Sequence, residues 1–474
     1  MEVASRRVLI GFMAVFLILE AWVGYWTVVR GPALEAHARN PRRIEAESRV
    51  ARGGINDRHG QSLAASVWER NSYKRHFLGP LSLSQTIGYL HPRFGKSGLE
   101  RTFDADLRGG AVTRGGLFTY RNAPREGLEL TTTIDTQVQK VAEKALAGRK
   151  GAVVALDANT GAILAAASVP FFDPNNISED LFSGSAGGPL FNRALQGRYP
   201  PGSSWKPLIL AAALETKAVS VKDVFEDRKS ITVEGYEIRN YEEKERGRLG
   251  LTDALAYSSN VVFVQIGLKT GGRAIAQLAQ QMGLFNAPKL GTPAAASHLP
   301  SQDSLQQRSV VAEVSIGQGE AWVSPLHMAV LAATIGNGGY AITPYLVQSV
   351  GNRDVAPVVP RKRVLSEETA TFVADAMRAV VTRGTGTRAA VSGVEVAGKT
   401  GTADNPVGRA HAWFIGFAPY SGGVVAVAVV IENAGGGGTQ AAPVAAQVIE
   451  ATVRSPVGRR REEAAVQSRK AVYL

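Results

Sequence analysis

The chain predicts an α+β fold, an antiparallel sheet flanked by helices, set behind a small membrane-proximal pedestal and one N-terminal transmembrane helix. Three observations lead there. An unbroken apolar run fills residues 8–29. Strand-like segments sit at both ends of residues 148–456, with helical stretches between them. The intervening region, 30–147, is Gly/Arg-rich and irregular until about residue 127. Strands gathered at the two ends of a segment speak against repeated βαβ units and for a sheet assembled from both ends. At 474 residues, 45% of them hydrophobic and 20% charged, the chain has material for two or three cored globular domains.

The first element is "VLIGFMAVFLILEAWVGYWTVV", Val8 to Val29. Coiled as a helix, it is long enough to cross a hydrocarbon core of roughly 30 Å. Arg6 and Arg7 place residues 1–7 in the cytoplasm, Trp22, Tyr25 and Trp26 belong at the far interface, and everything past residue 30 is expected outside the cytoplasm. A cleaved signal peptide has an apolar region of only about 7–15 residues, so an uncleaved anchor is the better reading. Glu20, ionisable inside the span, predicts a polar contact on a membrane partner or protonation.

Further along, "LELTTTID" alternates as a strand, and Asp135 caps a helix whose Val138, Val141, Ala142 and Ala145 fall at helical spacing until Gly148. "GAVVALDANTGAILAAAS" reads as a hairpin turning at Asn159-Thr160-Gly161. After the helical middle, "VEVAGKTGT", "AWFIGFAPY" and "VVAVAVVIE" are strands, and a helix from about Gln440 to Arg454 closes the domain. Gly435–Gly438 is expected as a flexible turn and 457–474 as a basic, disordered tail. No internal repeat is found.

Composition excludes several functions. The chain has no cysteine, which removes disulfides, thiolate metal sites and cysteine nucleophiles together. Its formal charge of +12 gathers after the anchor (Arg39, Arg42, Arg43, Arg49, Arg52) and in the tail (Arg459, Arg460, Arg461, Arg469, Lys470). Without zinc-finger spacing or an aromatic RNA-binding signature, this reads as a solvated basic surface, with no nucleic acid as partner. Gly393, Gly398, Lys399 and Thr400 satisfy the phosphate-loop pattern G-x-x-x-x-G-K-[ST]. A phosphate loop needs a strand before its first glycine and a helix after its lysine, whereas "VEVA" between the glycines alternates as a strand and "GTADNPVG" cannot easily start a helix. No nucleotide, metal or other cofactor is expected.

The same lysine opens a K-T-G element, and its companions are present: Ser203-x-x-Lys206 in "PPGSSWKP" and Ser258-x-Asn260 in "YSSNVV". Each alone is a common accident, with a solvated turn as the bland alternative, but their order and local context are specific. Pro201-Gly202 and Pro207 require the helix carrying "LILAAALE" to begin near Ser203, so Lys206 shares a face with the serine. Serine needs a base, and Lys206 qualifies only when neutral; burial and a neighbouring cation, Lys399, both lower its pKa. The candidate catalytic residues are therefore Ser203, Lys206, Ser258, Asn260 and Lys399, with the identity of the acylation base left open. Lys399, Thr400, Gly401 and Thr402 are the candidate substrate-binding residues. The three side chains would hold a carboxylate, while Gly401 leaves room for a peptide to add to the sheet edge. Backbone N–H groups of Ser203 and Thr402 are candidates for an oxyanion hole.

These residues resemble the transpeptidase domain of a class B penicillin-binding protein, of the penicillin-binding protein A type. "RGGINDRHGQSLA" and "SGLERTFDADLRG" are similar to the family's pedestal elements, and "FNRALQGRYPPGSSWKP", "GQGEAWVSPLHMA" and "HAWFIGFAPY" extend the likeness to about residue 454. Trp205 stands where relatives commonly have Phe. The resemblance implies a penicillin-binding/β-lactamase-like fold and an extracytoplasmic D,D-transpeptidase in bacterial cell-wall synthesis. In that reaction Ser203 attacks the D-alanyl-D-alanine end of a peptidoglycan stem peptide and releases D-alanine. It implies acylation by β-lactam antibiotics, and a polytopic glycosyltransferase of the shape, elongation, division and sporulation (SEDS) family as membrane partner. A catalytically silent scaffold, a β-lactamase and a β-lactam-sensing receptor are the alternatives.

Overall fold

The computed structural model describes residues 2–31, 49–109, 126–184, 187–358, 360–405, 408–420 and 423–455. The basic positions 39, 42 and 43 and the tail 457–474 lie outside the described residues. Helix α1 (Glu2–Gly24) runs on through a π-helical turn, Tyr25–Val29, and its apolar stretch Ser5–Val29 is wholly unburied, as a span awaiting lipid would be. Trp22, Tyr25 and Trp26 cluster at its C-terminal end with ring centroids about 6 Å apart, and Arg30 lies 5.7 Å from the Trp26 ring. Glu20 is exposed on this helix.

A six-stranded sheet joins residues expected in the pedestal with residues from beyond it, in the order Arg353–Asp354, Val347–Val350, Leu130–Thr132, Ile55–Asn56, Ser62–Glu69, Ser72–Phe77. Two of its strands thus come from a hairpin some two hundred residues beyond the others. The two pedestal signature segments meet through charge. Arg52 Nε lies 2.6 Å from Glu100 Oε2, Arg75 Nε lies 2.6 Å from Glu100 Oε1, and Arg52 and Lys96 both reach Asp104 Oδ1, at 2.7 and 2.8 Å. Glu100 is 1% exposed and Arg52 7%. Arg52, expected on a solvated basic surface, is therefore a buried structural cation: a carboxylate carried by a helix 48 residues later draws it inward.

Asp135 caps α2 (Thr136–Leu146) by accepting from the N–H groups of Gln137 and Val138, and Ala147 in left-handed conformation ends the helix just before Gly148. The central sheet contains β1 (Gly151–Asp157), β2 (Ile163–Val169), β3 (Ala397–Ala403), β4 (His411–Tyr420) and β5 (Gly423–Ile431). Its order is β3-β4-β5-β1-β2 and every pair is antiparallel. At the β1–β2 hairpin, Asp157 Oδ1 accepts from the N–H groups of Asn159 and Thr160, both at 2.9 Å. The strand expected from Val394 begins only at Ala397, because Val391 and Val394 pair across a tight turn.

Both faces of the sheet are covered, so its strands read as continuous apolar runs while size alternates. On β5, Val425, Val427, Val429 and Ile431 face the cluster that includes α2 and the closing helix, whereas Ala426, Ala428 and Val430 face the main core. The small residues let the helix Pro325–Gly336 approach closely. The main core also takes up α3 (Lys206–Glu215), α4 (Asn260–Thr270), α5 (Pro325–Gly336) and α6 (Glu367–Arg383). α7 (Ala442–Val453) lies on the other face. Within the glycine run expected as a flexible turn, Gly437–Gln440 instead forms a helical turn packed over the β3–β4 pair.

Candidate active site

The segment that delivers Ser203 is fastened before it arrives. Tyr199 exchanges backbone hydrogen bonds with Val323, its hydroxyl donates to Glu432 Oε1 at 2.8 Å, and the Trp413 indole N–H donates to the Pro200 carbonyl at 2.9 Å. Gly202 then takes φ +54° and donates to the Gly317 carbonyl at 2.8 Å. A Cβ at that position would sit 2.6 Å from the Thr402 carbonyl oxygen, so chirality and space both require glycine. Gly202–Trp205 forms one 3₁₀ turn and α3 starts at Lys206. In a 3₁₀ turn residues three apart eclipse, which stacks Ser203 and Lys206 on one face. Ser203 is the only partly exposed residue between Pro201 and Ala213, and its neighbours Ser204, Trp205 and Lys206 are fully buried.

Lys206 Nζ donates to the Ser258 carbonyl at 2.8 Å, to Ser258 Oγ at 3.3 Å and to Asn260 Oδ1 at 2.8 Å, and it stands 5.3 Å from the Phe263 ring centroid. Lys399 Nζ, on β3, donates to the same Ser258 Oγ at 2.9 Å and to the Thr400 carbonyl at 2.9 Å. Ser258, at φ +63°, presents both its carbonyl and its hydroxyl to Lys206 and the same hydroxyl to Lys399. Both lysines have no exposed surface. Burial pushes the Lys206 amine well below its ordinary pKa and the nearby charge of Lys399 pushes it further, while Asp227 opposes them. Burial brings Lys399 down to about 7. Neutral amines are thus accessible near physiological pH.

Period-two geometry divides β3. Lys399 and Gly401 face the nucleophile segment; Thr400 and Thr402 face the other way. Lys399 is turned inward to Ser258, Thr400 Oγ1 is paired with Thr385 Oγ1 at 2.6 Å, and Thr402 is exposed. A Cβ at Gly401 would lie 2.8 Å from Pro201 O, 2.9 Å from Trp413 Cβ and 3.0 Å from Ser204 N. The space that sequence reasoning reserved for substrate is filled by the backbone carrying Ser203. Among the described residues β3 pairs with β4 alone, which leaves its outer edge free of a strand partner there and available for strand addition. Lys399 lies mid-strand with no helix after it, which removes the phosphate-loop reading.

The structure brings Lys206, Ser258, Asn260 and Lys399 into one hydrogen-bonded group and sets Ser203 one turn before it. Sequence reasoning missed Thr385, Asn240 and Asp227, which lie behind these groups; their positions carry no motif and become significant only through tertiary contact.

Such a constellation on such a sheet defines the S-x-x-K serine acyltransferases. Comparison with known proteins narrows the class. The family model for the penicillin binding protein transpeptidase domain matches residues 151–450. The chain therefore belongs to the penicillin-binding protein transpeptidase family. It is 33% identical to the peptidoglycan D,D-transpeptidase PbpA of Mycolicibacterium smegmatis, covering 96% of this chain and 99% of that one. The PbpA of Mycobacterium tuberculosis is 32% identical at the same coverage. Penicillin-binding protein A of M. tuberculosis, solved as a ceftriaxone acyl-enzyme complex, superposes with a TM-score of 0.78 at 31% identity, over 86% of this chain and all of that one. A D,D-transpeptidase domain from Eggerthella lenta gives 0.77 at 32% identity, over 85% and 98%.

Proposed function

We propose that this chain is a peptidoglycan D,D-transpeptidase. Ser203 Oγ attacks the carbonyl of the penultimate D-alanine of a stem peptide and gives its proton to a neutral lysine amine of the cluster. The C–N bond to the terminal D-alanine breaks, and that proton goes to the leaving nitrogen. An amine of a neighbouring stem peptide then attacks the ester; the new amide C–N bond forms as the serine C–O bond breaks, and Ser203 recovers a proton through the cluster. Ser258, held between both amines, is the relay. The donor peptide lies along the open edge of β3 with its carboxylate toward the Thr400 and Thr402 hydroxyls, and the Ser203 and Thr402 N–H groups take the oxyanion. The observation that carries this reading is the pair of buried lysines sharing one serine hydroxyl, a turn away from a partly exposed serine.

The N-terminal helix fits a single-pass anchor. In the proposed arrangement it holds the catalytic unit on the outer side of a bacterial cytoplasmic membrane, residues 1–7 stay inside, and a SEDS-family glycosyltransferase meets the helix at Glu20. The test is covalent labelling of the full-length protein in detergent by a fluorescent penicillin. Wild type takes label and Ser203→Ala takes none. Label on the mutant excludes Ser203 as nucleophile, no label on folded wild type supports the scaffold, and label released within seconds identifies a β-lactamase.

A further inference from the structure

The turn that bears Ser258 and Asn260 is held from behind. Its middle residue, Ser259, faces away from the lysines, donates to Asp227 Oδ1 at 2.6 Å and accepts from Val262 N at 3.0 Å as the cap of α4. Asn240 completes the hold. Its Oδ1 accepts from the N–H groups of Asn260 and Val261 at 2.7 and 3.2 Å, the donors a helix start leaves free. Its Nδ2 donates to Asp227 Oδ1 at 2.6 Å and to the carbonyls of Arg228 and Lys244 at 2.9 and 3.0 Å.

Asp227 has no exposed surface. Its Oδ2 has no hydrogen-bond partner among the described residues, and the cation nearest to it there is Arg246, whose NH1 stands 4.0 Å away and whose side chain is 29% exposed. A buried carboxyl group with one oxygen unsatisfied is costly. Replacing it by asparagine would preserve every hydrogen bond that Oδ1 accepts. The hydrogen bonds at Oδ1 therefore do not by themselves require a carboxylate. The charged groups acting on Lys206 are Lys399, whose field favours the neutral amine, and Asp227, whose field favours the ammonium.

We propose that Asp227 is a positioning residue for the acyl-transfer site: through Ser259 and Asn240 it braces the turn that presents Ser258 and Asn260, and its charge sets the balance of protons between Lys206 and Lys399. This rests on the transpeptidase reading above. The charge of Lys399 weakens Lys206 as a base, and a nearby anion offsets that field so that Lys206 can still take the serine proton, which the resulting ammonium then returns to the leaving nitrogen. Asp227 supplies that anion from a distance, behind a serine, where it cannot form an ion pair that would lock the lysine in its charged form.

The test is the rate of acylation of the full-length protein by fluorescent penicillin as a function of pH. In Asp227→Asn the brace is kept and the charge removed, so the limb on which rate rises with pH moves to lower pH by roughly half a unit to one unit, less than the 1–3 units of direct contact. Arg246→Met, at a partly exposed site, unscreens Asp227 and moves the limb to higher pH. Ser259→Ala leaves the limb in place and lowers the maximal rate about tenfold, as misplacement of a fraction of an ångström does. An unmoved limb in both Asp227→Asn and Arg246→Met overturns the proposal, and so does a Ser259→Ala rate within twofold of wild type. Failure of wild type itself to acylate would instead overturn the transpeptidase reading.

Discussion

Adding one methyl group at residue 401 tests whether the glycine of the K-T-G element serves the nucleophile or the substrate. In Gly401→Ala the new carbon would stand 2.8 Å from Pro201 O, 2.9 Å from Trp413 Cβ and 3.0 Å from Ser204 N. Carbon contacts are comfortable at about 3.5–4.0 Å, so the nucleophile segment and β3 must part by roughly half an ångström or more. None of the three atoms can swing aside, since two are backbone and Trp413 is fully buried. Overpacking of this kind costs about 1–3 kcal/mol. The same displacement carries Ser203 away from the group it must act with. A 1 Å misplacement costs about 10²-fold, so half of that predicts about tenfold. The assay is paired: the second-order rate of acylation by fluorescent penicillin, and the melting temperature. The expected outcome is a rate about tenfold lower with a Tm lowered by a few degrees. Thr402→Ala, at an exposed side chain on the other face, should leave Tm unchanged. Acylation of Gly401→Ala within twofold of wild type at unchanged Tm would refute the reasoning and restore the glycine to the substrate.

Three further outcomes are expected. Ser258→Gly removes the shared hydroxyl without strain, because φ +63° suits glycine, so acylation should fall about 10²-fold or more while Tm holds. A stopped-flow rate near wild type would show that the lysines exchange protons without Ser258. Lys399 titrates near 7 in the folded chain against 10.5 ordinarily, so between those values the unfolded chain holds the extra proton and stability from this group rises with pH. The Tm of Lys399→Met minus that of wild type should therefore shrink steadily from pH 7 to pH 10, and a flat difference contradicts the lowered pKa. Glu100→Ala strands Arg52 and Arg75 without their carboxylate and should destabilise the protein by about 3–5 kcal/mol in denaturant unfolding, whereas a loss under 1 kcal/mol would mean that the pedestal cluster is solvated in solution.

What the sequence revealed and what it hid follow from how local each signal is. The Asp135 cap, the strand in "VVAVAVVIE" and the break at Pro201-Gly202 are decided within a few residues, and all three are found in the structure. The S-x-x-K, S-x-N and K-T-G elements could be joined before any coordinates because each carries its spacing with it. The pedestal sheet could not, since several of its strands are two to four residues long and too short to show a period. Arg52 read as surface because a charge looks solvated until its partner is known. Gly401 read as a gap for substrate because only the fold shows what lies across from it. Asp227 and Asn240 act through Ser259 and two backbone N–H groups, a relation absent from any linear pattern.

The sharing of strands between the pedestal and the chain's later half imposes a timetable on biogenesis. Ile55–Asn56 and Leu130–Thr132 leave the ribosome with one flank of their sheet still missing, and Val347–Val350 arrives roughly two hundred residues later, on the order of ten to forty seconds at about 5–20 residues per second. For that interval the nascent protein carries an open hydrogen-bonding border that any passing strand can occupy. A truncation between residues 132 and 347 would make the vulnerable state permanent.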